Sequence, residues 1–388
     1  MLNNIEDKSN ISCSGCGVCH KICPTKSIKI NRQVNGFYSP DINEECIGCG
    51  MCKKVCYKFI DKINCNVISE AKSYLAYSLN NINRLNASSG GIGKELCTYA
   101  INNGYEICGV EYDYKNDCAK HIILNSSEDL EKIVGSKYIP SFTVDAFSKL
   151  DKNKKYLIIG TPCQIYGLSK LRQLKKLDNI ILIDFFCHGT PSLNLWDKYL
   201  NMVRRKYNIS NIKKINFRDK VVGWHKFSMR IEDIKGNIFL EKMDTDLFMR
   251  FFLSNVDLNN PCYGCELRFD KIYSDIRLGD FWGPKCANDE KGTSILLTNT
   301  EVGENIFKSL NNIYSESITF KELKQSQYVP YLKIPNEKKV IQEKLKSDMK
   351  LEEIYEKYLI PIQRRKKIIN YITYPIKKVK SLIKRCVK

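Results

Sequence analysis

The sequence predicts a small, cysteine-rich α+β domain, a larger α/β domain with a mostly parallel sheet, and a helical, strongly basic C-terminal tail. Three observations indicate this organisation. Two cysteine runs of identical spacing lie near the N-terminus, apolar strands alternate with helical stretches in the middle, and residues 364–388 hold ten Lys or Arg and no acid. A chain of 388 residues is long enough for two or three domains. We place their boundaries at 1–66, 67–335 and 336–388.

The first domain is predicted from a repeated C-x2-C-x2-C-x3-C spacing. The cysteines of the two runs are Cys13, Cys16, Cys19 and Cys23, then Cys46, Cys49, Cys52 and Cys56. This spacing is typical of a ferredoxin-like domain with two 4Fe–4S clusters, in which the fourth cysteine of each run ligates the other cluster. We therefore pair Cys56 with the first three cysteines and Cys23 with the second three. Zinc is the alternative, but it prefers four ligands in two pairs.

Two local patterns follow along the chain. Ser27–Ile30 and Gly36–Tyr38 predict a short hairpin between the cysteine runs. Ser88-Ser89-Gly90-Gly91 precedes a helical pattern over Ile92–Asn102, with Gly104 at a plausible end. Glycines at a helix start let backbone amides approach an anion, although a plain helix cap explains the same residues.

The larger domain is predicted from two apolar strands that each end in a cysteine. Tyr156–Ile159 leads to Cys163, and Ile180–Phe186 leads to Cys187. Helical patterns after each strand imply parallel neighbours, whose carboxyl ends share one sheet edge. A later Cys262-x2-Cys265 brings the count to the four thiolates that a cubane cluster requires. Spacing alone leaves a third cluster and a zinc knuckle with buried thiols as alternatives.

Composition limits the cellular setting and the partners. Eighteen cysteines, a polar N-terminus and no long apolar run favour a cytoplasmic protein whose cysteines bind metal. The net charge of +19 falls to +9 without residues 364–388, so we expect no nucleic-acid partner. The basic tail suits the inner face of an anionic membrane or an acidic protein, and a solvated helix without a ligand is the third reading.

Several stretches of the sequence together resemble the coenzyme F420 hydrogenase/dehydrogenase beta-subunit family. They are Ser88–Gly91, Gly135–Tyr138, Gly160–Gln164, Phe186–Ser192, Phe217–Lys220 with Gly223-Trp224, Cys262–Cys265, and Asp275–Gly283. Each stretch is a weak signal alone, but their order along the chain is that of the family.

The resemblance implies a flavoprotein with FAD beside a third 4Fe–4S cluster. The implied cluster ligands are Cys163, Cys187, Cys262 and Cys265. The implied flavin-binding residues are Ser88, Ser89, Gly90, Gly91, Lys137, Tyr138, Gly279 and Asp280. Members of the family differ in substrate, so an F420-type deazaflavin and a biosynthetic intermediate both remain open.

Two functions are consistent with these patterns. The first is an FAD-dependent iron–sulfur oxidoreductase with its own small substrate, with His188 and Lys137 as candidate acid–base residues. A histidine next to a cluster ligand can instead simply bond a sulfur or the backbone. The second is an electron-transfer subunit that serves a partner enzyme. Both require a redox partner protein, such as a ferredoxin or a partner reductase.

Overall fold

The computed structural model describes residues 3–6, 13–59, 65–327 and 331–365. Residues 366–388 of the predicted tail, with eight of the ten basic residues counted above, lie outside the described residues. The N-terminal part contains helix α1 (Val18–Ile22), strands β1 (Ile28–Arg32) and β2 (Tyr38–Ile42), and helix α2 (Met51–Lys54). The two strands pair antiparallel as the predicted hairpin, with Ile30 opposite Pro40.

The rest of the chain alternates strands and helices. The strands are β3 (Asn66–Val67), β4 (Lys72–Ser78), β5 (Tyr105–Asp113), β6 (Cys118–Leu124), β7 (Ser141–Phe142), β8 (Lys155–Ile159), β9 (Ile180–Phe185), β10 (Ile212–Asp219), β11 (Ser228–Asp233), β12 (Ile238–Lys242), β13 (Lys271–Ile272), β14 (Ile276–Asp280), β15 (Ser294–Thr298) and β16 (Ile313–Ser317). The helices are α3 (Asn81–Asn86), α4 (Ile92–Asn102), α5 (Val144–Ser148), α6 (Pro162–Lys175), α7 (Leu193–Tyr207), α8 (Leu247–Leu253), α9 (Glu301–Lys308), α10 (Phe320–Gln327), α11 (Lys338–Lys346) and α12 (Leu351–Ile354).

A nine-stranded mixed sheet forms the centre of the molecule. Its order is β16-β4-β15-β14-β9-β8-β5-β6-β7. The four central strands, from β14 to β5, run parallel, while antiparallel pairs predominate on the flanks. The predicted strands at Tyr156–Ile159 and Ile180–Phe186 are β8 and β9, adjacent and parallel. Their unbroken apolar runs suit strands that are buried on both faces.

Helices cover both faces of this sheet. Alternate residues of β9 belong to different cores: Ile181 and Ile183 pack with α4 and α9, whereas Ile180 and Leu182 pack with α5 and α6. A separate core surrounds the fully buried Trp196 of α7 and includes the small sheet β10-β11-β12. The predicted helix over Ile92–Asn102 is α4, and it begins directly after Gly91.

Residues 338–359 do not form one continuous helix. Ser347 is extended after α11, and α12 then continues as a short π-helical segment, Tyr355–Leu359. Lys198 stabilises the break from outside, because its Nζ donates to the carbonyls of Ser347 at 2.6 Å and Met349 at 2.7 Å. A distant side chain therefore overrides the local helical pattern. No helix within the described ranges is both long and apolar enough to cross a membrane.

The N-terminal part packs directly on α6. A Cβ added at Gly167 would lie 2.8 Å from Val18 Cγ2. Val18 of α1 therefore occupies the space that a side chain at position 167 would need. Thr143 Oγ1 also donates to the Cys16 carbonyl at 3.1 Å, and Lys21 Nζ donates to the Leu150 carbonyl at 2.9 Å. The N-terminal part is thus held against the central sheet and its helices by packing and by hydrogen bonds.

Substituting Gly167→Leu is expected to separate these two parts locally. Overpacking against Val18 should lower the free energy of unfolding by about 1–3 kcal/mol, measured by urea denaturation, and should speed hydrogen exchange in α1. Gln173→Leu, at an exposed position of the same helix, is the control and should change neither quantity appreciably. Unchanged stability and exchange in the Gly167 variant would contradict the packing contact.

Candidate functional site

The two cysteine runs share the same backbone turn. Gly17 has φ 73° before α1, and Gly50 has φ 71° before α2. Glycine adopts this left-handed conformation without the steric cost of a Cβ. In each run the turn comes immediately after the second cysteine, so the sequence repeat is also a repeat of local structure.

Six of the predicted ligand sulfurs accept an N–H hydrogen bond from the residue two positions later. The Gly15 amide donates to Cys13 Sγ at 3.3 Å. The same contact occurs at Cys16, Cys23, Cys56, Cys187 and Cys265, with Val18, Thr25, Lys58, Gly189 and Leu267 as donors. An N–H group aimed at sulfur favours the thiolate over the thiol. The donor set therefore fits iron–sulfur ligation, where such bonds also tune the potential.

The first predicted ligand set is brought together in the structure: Cys13, Cys16, Cys19 and Cys56. Burial, together with the nearby charges of Cys56 and Cys163, raises the pKa of Cys13 to about 12. The pKa of Cys16 is raised well above its ordinary value by burial and by the same neighbours. Four thiols at close range, one buried and three half-buried, favour a cation among them.

The second set is nearer the surface. Cys46 Sγ accepts a hydrogen bond from Asn4 Nδ2 at 3.7 Å, and its charge contributes to the raised pKa of Cys52, which is mainly due to burial. Cys49 is exposed, as is the side chain of Ile47 at 66%. Cys52 in turn adds to the raised pKa of Cys19 in the first set, whose largest cause is burial. The two sets therefore adjoin, and the second set reaches solvent.

The third set gathers at the carboxyl ends of β8 and β9. Cys163 lies in the first turn of α6, where Thr161 and Gln164 form a reciprocal cap. Burial and the charges of Cys163 and Cys265 raise the pKa of Cys187 to about 12. Burial, Cys187 and Cys163 likewise raise the pKa of Cys262. All four predicted thiols of this set are thus neighbours.

Cys163 links the third set to the first. Its charge contributes to the raised pKa of Cys13, Cys16 and Cys56, for each of which burial is the largest cause. Cys163 and Cys187 also line a large cavity. The thiol sets therefore follow one another from exposed Cys49 to the wall of this cavity.

Arg268 joins the segments that carry the third set. Its Nη1 donates to the carbonyls of His188 at 2.7 Å and Cys187 at 3.3 Å, and its Nη2 donates to the carbonyl of Cys262. Its own amide donates to the Cys265 carbonyl at 3.3 Å. Sequence reasoning missed Arg268, and only its position three residues after Cys265 hints at the role.

A buried ion pair joins two neighbouring strands of the sheet, β9 and β14, that lead to this region. Arg277 of β14 donates to Asp184 of β9 through Nε at 2.8 Å and Nη2 at 2.6 Å. Both side chains are fully buried, at 0% and 1% exposed. Arg277 also donates hydrogen bonds to two backbone carbonyls, from Nη1 to Phe269 at 3.0 Å and from Nη2 to Lys271 at 2.9 Å. This fork joins the strand that leads to Cys187 to the segment that follows Cys265.

The cavity has a volume of about 760 Å³, within the usual range for ligand pockets. Nearly all the predicted flavin and acid–base residues line it: Ser88, Ser89, Gly91, Lys137, Tyr138, His188, Gly279 and Asp280. Gly90 lies behind the wall instead. Its amide donates to Ser294 Oγ at 2.9 Å, and a Cβ there would lie 2.6 Å from the Ala76 carbonyl oxygen. Gly90 therefore serves backbone packing.

The Ser88–Gly91 loop is held in place by distant residues. Lys220 Nζ donates to the carbonyls of Arg84 and Ser89, both at 2.7 Å, and of Lys291 at 2.6 Å. The Ser136 amide donates to Ser88 Oγ at 2.8 Å. The loop is thus preorganised where it meets the cavity and the start of α4.

The two candidate acid–base residues differ in their surroundings. His188 Nε2 lies 2.6 Å from Asn255 Oδ1, and burial lowers the pKa of its ring. Lys137 Nζ donates to the Val134 carbonyl at 3.0 Å, and burial lowers its pKa to about 7. Lys137 can therefore exchange a proton near neutral pH.

A second arginine at the cavity was not among the predicted site residues. Arg218 Nη1 donates to Asp280 Oδ2 at 2.7 Å. Its Nε and Nη2, and Asp280 Oδ1, are buried and have no partner among the described residues. The Phe217–Lys220 stretch was the signal that could have identified it. Among all the described residues, the three thiol sets included, no group of three or more His, Cys, Asp or Glu lies close enough together to hold a single metal ion.

Comparison with known proteins bears on this site directly. Residues 153–325 match the family model that describes the C terminus of the coenzyme F420 hydrogenase/dehydrogenase beta subunit. Over this region, a little under half of its length, the chain is similar to the coenzyme F420 hydrogenase/dehydrogenase beta-subunit family. The matched residues contain all four cysteines of the third set and the three buried arginines Arg218, Arg268 and Arg277.

Two relatives come from Methanocaldococcus jannaschii. One is an uncharacterized protein, 26% identical in an alignment of 343 positions that covers 80% of this chain and 89% of the relative. The other is a coenzyme F420-dependent sulfite reductase, 25% identical in an alignment of 347 positions that covers 84% of this chain. This chain spans only about half of the sulfite reductase, 49% of its length.

A solved structure is also similar. A chain of the F420-reducing [NiFe] hydrogenase complex from Methanosarcina barkeri matches with a TM-score of 0.43 and 18% identity, covering 76% of this chain and 92% of that one.

The Asp184–Arg277 pair yields a stability prediction. Asp184→Asn leaves the Arg277 charge buried without its counter-charge, and we expect a loss of about 3–5 kcal/mol in the free energy of unfolding. Asp197→Asn is the control, because its pair with Arg32 is 39–44% exposed and should cost less than about 1 kcal/mol. Urea denaturation measures both losses. Equal losses in the two variants would contradict the role given to the buried fork.

Proposed function

We propose that this chain is an iron–sulfur flavoprotein oxidoreductase. It would pass electrons between a redox partner protein and a small substrate bound in the cavity. The succession of three thiol sets, from exposed Cys49 to the cavity wall at Cys163 and Cys187, carries the proposal. When bound, 4Fe–4S centres exchange single electrons, and FAD couples them to two-electron chemistry.

The chain's own residues fit these groups. The cysteines of the three sets supply the thiolates, and backbone amides two residues later stabilise them. Ser88, Ser89 and Gly91, at the start of α4, would hold the anionic part of FAD with hydroxyls and backbone amides, while the Gly90 amide stays bonded to Ser294. Lys137 and Tyr138 line the adjoining wall. Lys137, with its pKa lowered to about 7, would hold or release the proton that accompanies substrate reduction.

The substrate is proposed as either an F420-type deazaflavin or a biosynthetic intermediate. Both the family name and the named sulfite reductase relative refer to F420. The second candidate function is an electron-transfer subunit, favoured by one observation: the sulfite reductase is about twice as long as the region matched here. The purified chain distinguishes the two, since an enzyme reduces its small substrate unaided.

The redox partner would meet the molecule where Cys49 and Ile47 are exposed. Residues 364–388 remain a second proposed contact, with an acidic partner or an anionic membrane surface. Only Arg364 and Arg365 of its ten basic residues lie in the described part of the chain.

Iron content tests the three thiol sets. Anaerobically purified protein should contain about twelve iron and twelve sulfide per chain, four of each per cubane. Cys163→Ser should lower both to about eight, because the third set loses one ligand. Cys118→Ser, outside the three sets, is the control and should keep the full content. Wild-type protein with about eight irons would refute the third centre and leave the ferredoxin-like domain standing.

Flavin occupancy tests the cavity. A Cβ at Gly93 would meet only Leu278 Cδ1, at 3.8 Å, so a larger side chain there enters the cavity without striking the backbone. Gly93→Leu should therefore lose FAD while retaining all iron. Gly93→Ala is the matched control: it should keep FAD and raise stability by about 0.5–1 kcal/mol. Full FAD occupancy in the leucine variant would exclude this part of the cavity as the flavin site.

A further inference from the structure

Arg268 is held more tightly than a surface arginine could be. It is 5% exposed, and its guanidinium donates to the carbonyls of Cys187, His188 and Cys262. These carbonyls belong to two separate loops that supply ligands of the third set. One side chain thus fixes the spacing of both loops.

The charge of Arg268 lacks a carboxylate partner. Among the described residues, every ion pair within 4.0 Å involves other side chains, and the buried Nε has no hydrogen-bond partner there. The other buried arginines at this edge, Arg218 and Arg277, each pair with an aspartate. A buried cation without a counter-charge is strongly unfavourable. Arg268 therefore requires an anion close by.

The third thiol set is the anion within reach. The Arg268 guanidinium bonds the carbonyls of Cys187 and Cys262 directly, and the Arg268 amide donates to the Cys265 carbonyl at 3.3 Å, so three of the four cysteines lie against this residue. Four thiolates around a 4Fe–4S core make a centre with net negative charge. The cation and this centre would satisfy each other electrostatically.

We propose that Arg268 is the counter-charge and positioning residue of the third centre, and that its charge raises the reduction potential of that centre. In the transfer, the third centre gains the one electron that the adjoining N-terminal centre loses, and no bond or proton changes. The negative charge beside Arg268 rises by one. A fixed cation stabilises the more negative state, so it favours electron flow from the N-terminal centres toward the cavity.

This inference rests on the proposed third centre. The test compares two variants. Arg268→Lys keeps the positive charge but loses the branched hydrogen bonding of the guanidinium, and Arg268→Gln loses the charge. Iron content is measured first, and the potential of the third centre is then measured by redox titration followed by electron paramagnetic resonance. Arg204→Gln is the control. Arg204 lies on α7 and is paired with Asp117, so this variant removes a positive charge outside the third thiol set.

We expect the third-centre potential to be lower in Arg268→Gln than in Arg268→Lys, and unchanged in Arg204→Gln. Loss of the third centre from the glutamine variant alone, with about twelve irons kept in the lysine variant, also supports the counter-charge. Equal potentials in both fully loaded Arg268 variants would overturn it. Loss of the centre from both variants would overturn it too, because the hydrogen bonds of the guanidinium rather than its charge would then be required. Wild-type protein with about eight irons would instead refute the third centre, and this inference with it.

Discussion

The buried fork between Asp184 and Arg277 is the contact on which the site depends. It lies inside the central sheet, where β9 and β14 run parallel with Arg277 opposite Asp184. Desolvating both charges is costly unless the geometry and remaining hydrogen bonds are satisfied. Here Ser274 Oγ also donates to Asp184 at 2.8 Å, and Arg277 donates to two backbone carbonyls beside β13. The positions of Cys187 and Arg268 follow from this arrangement.

Much of the fold could be predicted because it depends on patterns of neighbouring residues in the sequence, such as helical periodicity, apolar runs and cysteine spacing. The helix at Ile92–Asn102 follows a glycine start and a 3.6-residue period, and the strands before Cys163 and Cys187 are uninterrupted apolar runs. The parallel pairing of those two strands followed from the helix between them. The repeat of the cysteine runs predicted equivalent turns at Gly17 and Gly50.

Features that depend on distant contacts could not be predicted. The break at Ser347 depends on Lys198, about 150 positions earlier in the chain. The proximity of Cys163 to Cys13 depends on the fit of Val18 against Gly167. Gly90 has the sequence context of an anion-binding loop, but its position between Ala76 and Ser294 shows that it packs the backbone. In each case a residue distant in the sequence determines the local structure, and the periodicity of the local sequence does not reveal that residue.

The exposure of Cys49 gives the molecule an unequal sensitivity to air. Cys19 and Cys52 are buried, whereas Cys49 is open to solvent. Oxidation of sulfur follows exposure and thiolate character. With thiol sets arranged in series, damage would begin at the outermost set and leave the inner sets and the cavity intact. A preparation handled in oxygen would then lose the set that faces solvent first and keep the two inner sets.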